Sequence, residues 1–81
     1  MTNFIDGELR RRVGHRIKAL RESKCLKRRH VAQSLGHEYQ WLWDIESGRR
    51  WPTMPDTYAL AELFDVSLNE LLGDPDHVAA K

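Results

Sequence analysis

Eighty-one residues make one domain at most, with a core small enough to sit near the margin of stability. No apolar run approaches the roughly 20 residues that span a bilayer. The N-terminus lacks the apolar segment of a secretory signal, and the single cysteine, Cys25, has no internal disulfide partner, which fits a cytoplasmic location. The net charge of +1 conceals a division, with twelve Lys/Arg against four acids in residues 10–50 and six acids against Lys81 in residues 51–81. A basic half and an acidic half make a dipolar particle with one face that attracts polyanions.

The apolar pattern is helical throughout. Leu9, Val13, Ile17 and Leu20 recur at spacings of four, four and three, so a first helix carries one apolar stripe and ends near Ser23. Leu26 follows, then a short second helix with Val31, Ala32 and Leu35 inward. Gly36 supplies the left-handed residue that stops it. A third helix covers 38 to 46 and is stopped by Gly48. At ~100° per residue, Leu42 and Ile45 define its buried face. Gln40, Trp43, Asp44 and Ser47 then fall on the opposite face, flanked by Tyr39 and Trp41. Trp41 suits either partial burial or an exposed role, whereas Trp43 points further out.

Residues 49–53, "RRWPT", form a connector. Thr53 caps a fourth helix, with Pro55 in its first turn and Asp56 at the third position, where a carboxylate suits the helix dipole. Tyr58, Ala61 and Phe64 are expected to face inward. In "VSLNEL", Ser67 and Glu70 form a capping box and Val66 with Leu71 a hydrophobic staple, which fixes the start of a fifth helix. Residues 1–8 read as an N-terminal arm, 9–72 as the folded domain and 73–81 as a flexible C-terminal tail.

No catalytic constellation emerges. His15, His30, His37 and His77 show no ligand spacing with Cys or carboxylates, so no metal site is expected. No nucleophile elbow, phosphate loop or paired carboxylate appears. The chain reads as a non-enzyme without a cofactor.

Several segments taken together carry a specific pattern: "RIKALR", then "HVAQSLG", then "L" and "IESGRR", then a proline, then "LAELFDVSLNELL". As a set, over about residues 9–72, they resemble the Cro/repressor-type (Xre) helix-turn-helix family. The resemblance implies an all-α, compact five-helix fold of lambda-repressor type, whose second and third helices form the helix-turn-helix. It implies double-stranded DNA as the partner, a third helix in the major groove and a homodimer. Base-reading positions map onto Tyr39, Gln40, Trp43 and Asp44. Gln pairs with adenine, Asp accepts from cytosine N4, and an aromatic packs on a thymine methyl. Arg28, Arg29, Arg49 and Arg50 are placed to grip phosphates. Arg21 and Glu46 match a structural ion pair of the family. As a whole the resemblance implies a sequence-specific DNA-binding transcriptional regulator, in the first instance a repressor. The fifth helix, with Leu68, Leu71 and Leu72, is one candidate for the dimer contact.

Four departures from the family pattern bear on chemistry. The usual "LTQ" opening of the second helix is replaced by Leu26-Lys27-Arg28-Arg29, where cations oppose the helix dipole unless a phosphate docks there. Cys25 stands where the family usually has glycine, and a positive φ there would cost roughly 1 kcal/mol of strain. The third helix carries no Lys or Arg before Arg49, and Glu38 replaces the usual Ser/Thr cap. Exposed Trp41 and Trp43 therefore also suit a protein-binding module on the same scaffold, such as an antitoxin or anti-regulator with a protein partner.

Overall fold

A computed structural model describes residues 5–73. A π-helical turn, Ile5–Leu9, leads directly into α1 (Arg10–Ser23), followed by α2 (Arg28–Ser34), α3 (Tyr39–Glu46), α4 (Met54–Phe64) and α5 (Leu68–Leu72). All regular structure among the described residues is helical. The core is Val13 and Ile17 of α1, Val31 and Ala32 of α2, Trp41, Leu42 and Ile45 of α3, Leu60, Ala61 and Phe64 of α4, and Leu71 of α5. Every helix thus contributes to one cluster. Residues 1–4 of the expected arm and 74–81 of the expected tail lie outside the described residues.

Four of the helices end in the same way. One or two residues past the helix, the chain enters the left-handed region at Cys25 (φ 58°), Gly36 (79°), Gly48 (84°) and Asp65 (59°). In each case two N–H groups turn back to the last carbonyls: Cys25 to Glu22 and Leu26 to Arg21, Gly36 to Gln33 and His37 to Ala32, Gly48 to Ile45 and Arg49 to Asp44, Asp65 to Glu62 and Val66 to Ala61. This is the Schellman arrangement, which satisfies carbonyls that a helix end leaves open. Cys25 and Asp65 are the two non-glycine residues that take this conformation among the described residues.

Helix starts differ. Thr53 Oγ1 accepts from the Asp56 N–H at 3.2 Å, and Ser67 and Glu70 complete both halves of the capping box. Lys27 and Glu38, which open α2 and α3, make no side-chain cap bond.

Two orientations differ from the sequence expectation. Tyr58 is 57% exposed, while Thr57 is buried beside Leu60, Ala61 and Phe64. The buried stripe of α4 therefore starts one residue earlier. Thr57 is tolerated inside because its hydroxyl donates to the Thr53 carbonyl at 2.7 Å, which removes the cost of burying it. Leu71 is fully buried, so it is not available for the dimer contact considered for α5; Leu72 remains exposed.

Close approach of α1 to α3 depends on Gly14. A Cβ there would fall on the Ile45 carbonyl oxygen, so only glycine lets the two backbones meet. Beside this contact, Arg10 Nε donates to the Gly48 carbonyl at 2.7 Å, a cation at the C-terminal turn of α3 where the helix dipole favours it.

Candidate nucleic-acid interface

The relation between α2 and α3 is fixed by a charged cluster. Glu46, at the end of α3, is buried and faces Arg21 of α1, also buried. Arg21 Nε donates to Glu46 Oε2 at 2.6 Å and its Nη2 to Oε1 at 3.3 Å, a two-pronged geometry only a guanidinium supplies. Arg21 Nη1 donates to the Leu26 carbonyl at 2.7 Å, tying in the turn between α1 and α2. The ion pair expected from the family resemblance is therefore formed.

A third member joins it. Arg28, the first residue of α2, donates from Nε to Glu46 Oε1 at 2.7 Å and from Nη1 to the Tyr39 hydroxyl at 3.4 Å. One carboxylate thus holds two guanidiniums from two different helices, and the trio carries a net positive charge. The hydrogen bond to Glu46 raises the Arg28 pKa above its ordinary value against the opposing effect of partial burial. Arg28 stays charged at any physiological pH. It is a partly buried strut between α2 and α3 as well as a cation near the surface. Nothing in the local sequence signals this link, because its partners lie 11 and 18 residues away.

The outer face of α3 carries the side chains expected there. Tyr39 and Gln40 are exposed, and Trp43 and Asp44 are half-buried. The Arg49 guanidinium lies 5.0 Å from the centre of the Trp43 ring, within cation–π range. Gln40 Nε2 donates to Asp44 Oδ1 at 3.0 Å, and Arg50 Nη2 stands 3.7 Å from Asp44 Oδ2. Beside Tyr39, a groove of about 460 Å³ is lined by Arg21, Lys27, Arg28, Arg29 and His30. Lys18 of α1 shares a smaller cleft with Arg28, Trp43, Glu46 and Ser47, a neighbourhood that the sequence pattern does not signal. The structure therefore brings Tyr39, Gln40, Trp43 and Asp44 together, with Arg28 and Arg29 on one side and Arg49 and Arg50 on the other.

Trp41 stands apart from that group. It is 8% exposed and its ring stacks on His37 at 3.9 Å between centroids. His37 Nε2 in turn lies 2.9 Å from Asp56 Oδ2 at the start of α4. Trp41 is thus part of the seam between α3 and α4, and its use as an exposed anchor for a protein partner is overturned by burial. Trp51, in the connector, is 40% exposed. Among the described residues no group of His, Cys, Asp or Glu could hold a metal ion, and no helix is long and apolar enough to cross a membrane.

Comparison with known proteins gives the family. The chain is 36% identical over 69 residues to an uncharacterized HTH-type transcriptional regulator, y4dJ, of Sinorhizobium fredii (strain NBRC 101917 / NGR234); the match covers 85% of this chain and 90% of the relative. It is 36% identical over 68 residues to the ImmF control region 10 kDa protein of Bacillus phage phi105, covering 84% of this chain and 72% of that protein. No solved structure matches the chain. Residues 12–72, which span α2, α3 and the elements that hold them, match the family described as helix-turn-helix domain, and the chain belongs to that family.

Proposed function

We propose that the protein is a sequence-specific double-stranded DNA-binding transcriptional regulator of the Xre type, acting as a repressor. The observation that carries this reading is the outer face of α3. Tyr39, Gln40, Trp43 and Asp44 project from a helix whose other side is locked into the core, and basic side chains border them at both ends. A rigid helix with polar and aromatic groups outward is the shape that reads base edges, and flanking arginines supply the phosphate contacts that set its register. In this reading α3 lies in the major groove. Arg28, Arg29, Arg49 and Arg50 grip phosphates, and two copies place their α3 helices about one helical turn apart on a near-palindromic site. The names of both relatives, a transcriptional regulator and a phage control-region protein, fit this role. The rival reading, an antitoxin or anti-regulator that docks a protein through Trp41 and Trp43, has lost one of its two anchors to the core.

The test is fluorescence anisotropy on labelled duplexes tiling the DNA around the protein's own gene, with competitor DNA, at several salt concentrations. Tight binding to one tile with a steep salt slope is expected. Equal weak binding on every tile would sink the reading. Arg29→Ala sharpens the test, because Arg29 is exposed. The substitution should weaken binding on all tiles alike and flatten the salt slope by about one.

A further inference from the structure

The two polar residues on the outer face of α3 are bonded to each other, and this gives them unequal roles. Gln40 Nε2 donates to Asp44 Oδ1 at 3.0 Å, one helical turn further on. The other carboxylate oxygen faces Arg50 at 3.7 Å, and the Asp44 side chain is only 19% exposed. Its main chain is equally committed, since the Asp44 carbonyl accepts from the Arg49 N–H at 2.9 Å and from Ser47 Oγ at 3.2 Å. Asp44 is therefore held in the last turn of α3 with little surface left to offer a base. Gln40 is exposed.

We infer that Asp44 is a positioning residue that fixes the Gln40 amide for adenine, rather than a reader of cytosine in its own right. An ionised carboxylate only accepts hydrogen bonds. The Gln40 amide must then turn its nitrogen toward Asp44, because the flipped amide would set two acceptors against each other. One N–H is taken; the amide oxygen and the second N–H are left. That pair matches adenine, which offers the N6 donor and the N7 acceptor side by side in the major groove. Guanine offers two acceptors, O6 and N7, and the held oxygen repels O6. A glutamine without this restraint rotates its amide and presents its nitrogen to guanine. Asp44 thus sets the choice of adenine over guanine at the base pair under Gln40. Arg50 offsets the carboxylate's repulsion of nearby phosphates. This inference rests on the DNA-binding reading above.

The experiment uses the full chain and the tile it binds, with each base pair of the bound site changed in turn. Gln40→Ala first identifies the base pair that Gln40 contacts. Wild type should prefer adenine there by roughly 5- to 150-fold, the range a good bidentate contact supplies. Asp44→Ala should collapse the adenine-over-guanine ratio at that base pair and leave the preferences at other positions in place. Asp44→Asn carries an amide that donates as well as accepts, so it no longer fixes the Gln40 orientation and should lower the ratio toward that of Asp44→Ala. The Gln40→Ala/Asp44→Ala double variant should discriminate no worse than Gln40→Ala alone. If Asp44→Ala instead relaxes a different base pair and leaves the ratio under Gln40 intact, Asp44 reads DNA directly and the inference is wrong. An NMR spectrum of the free protein separates this failure from failure of the DNA reading. There, Asp44→Ala should shift the Gln40 side-chain amide protons whether or not DNA binds. Unmoved amide protons would overturn the inference on their own. Amide protons that move in a protein binding every duplex alike would overturn it together with the DNA reading.

Discussion

The two halves of the molecule share a way of ending helices, used by α1, α2, α3 and α4, and begin them differently. In the acidic half, α4 and α5 open on Thr53 and Ser67, and both side chains cap. In the basic half, α2 and α3 open on Lys27 and Glu38, and neither does. Side-chain caps contribute about 1 kcal/mol each. The basic half forgoes them and sets a cation, Arg28, in the first turn of α2, where the helix dipole disfavours it. What holds this half instead is long-range: Glu46 gripping Arg21 and Arg28, and Gly14 letting α1 lie against α3. The acidic half is stabilised by local sequence chemistry. The basic half has its surface composition given over to charge and is stabilised from beneath.

The strongest way to break that contrast is Glu46→Ala. The substitution leaves Arg21 buried without its carboxylate and leaves Arg28 with only its long bond to the Tyr39 hydroxyl on α3. Removing one partner of a buried ion pair costs about 3–5 kcal/mol, which is most of the stability of a domain this small. Urea denaturation should show the domain largely unfolded at room temperature. If the midpoint moves by no more than that of an exposed substitution, the cluster is not what holds α2 to α3. Glu46→Gln separates charge from shape, since it keeps acceptor and volume and should fall between the wild type and alanine.

A smaller pair of changes sharpens the contrast. Ser67→Ala removes one half of the capping box and should lower stability by about 1 kcal/mol. Lys27→Ser adds a cap that α2 lacks and removes a cation opposing its dipole, and should raise stability by about the same amount. On the DNA-binding reading, Lys27→Ser should also weaken DNA binding across sequences, because a phosphate contact goes with the charge. Paired thermal melts and anisotropy titrations read both effects. If Lys27→Ser gains stability with no loss of affinity, the missing cap has no counterpart in DNA binding.

Legibility in the sequence follows the same division. The capping box at Ser67, the cap at Thr53 and the stops at Gly36 and Gly48 are encoded within four or five residues of where they act, and all are found in the structure. The faces of α3 also follow from helical spacing, because Leu42 and Ile45 fix its rotation. The Arg21–Glu46 pair came through resemblance to a family, not through spacing. Links between distant residues left no local signal: Arg28 to Glu46, His37 to Asp56 and Arg10 to the Gly48 carbonyl. Thr57 takes the inward place expected of Tyr58 because an apolar stripe read from the pattern passes over a threonine. The pattern takes no account of a hydroxyl that bonds its own helix. The base-reading role of four residues on α3 came from matching a motif, and the structure adds which of them are bonded to one another.

The finest distinction lies in the helix ends that the two halves share. Gly36 and Gly48 take a positive φ without steric cost, whereas Cys25 and Asp65 carry a Cβ into the same region. A left-handed conformation costs an ordinary L-residue roughly 1–2 kcal/mol, and Asp less, because its short polar side chain bonds locally. Replacing either by glycine relieves that strain but loosens the unfolded chain, an opposing effect of about 0.4–1 kcal/mol. Cys25→Gly should therefore gain up to about 1 kcal/mol, and Asp65→Gly close to nothing, in denaturant melts of otherwise identical proteins. Cys25 is exposed, so its side chain contributes little packing to set against the gain. A loss on Cys25→Gly would mean that the thiol makes a stabilising contribution that its exposure does not reveal. Equal gains at both positions would mean that Asp65 is as strained as Cys25, and that the two halves end their helices at the same cost.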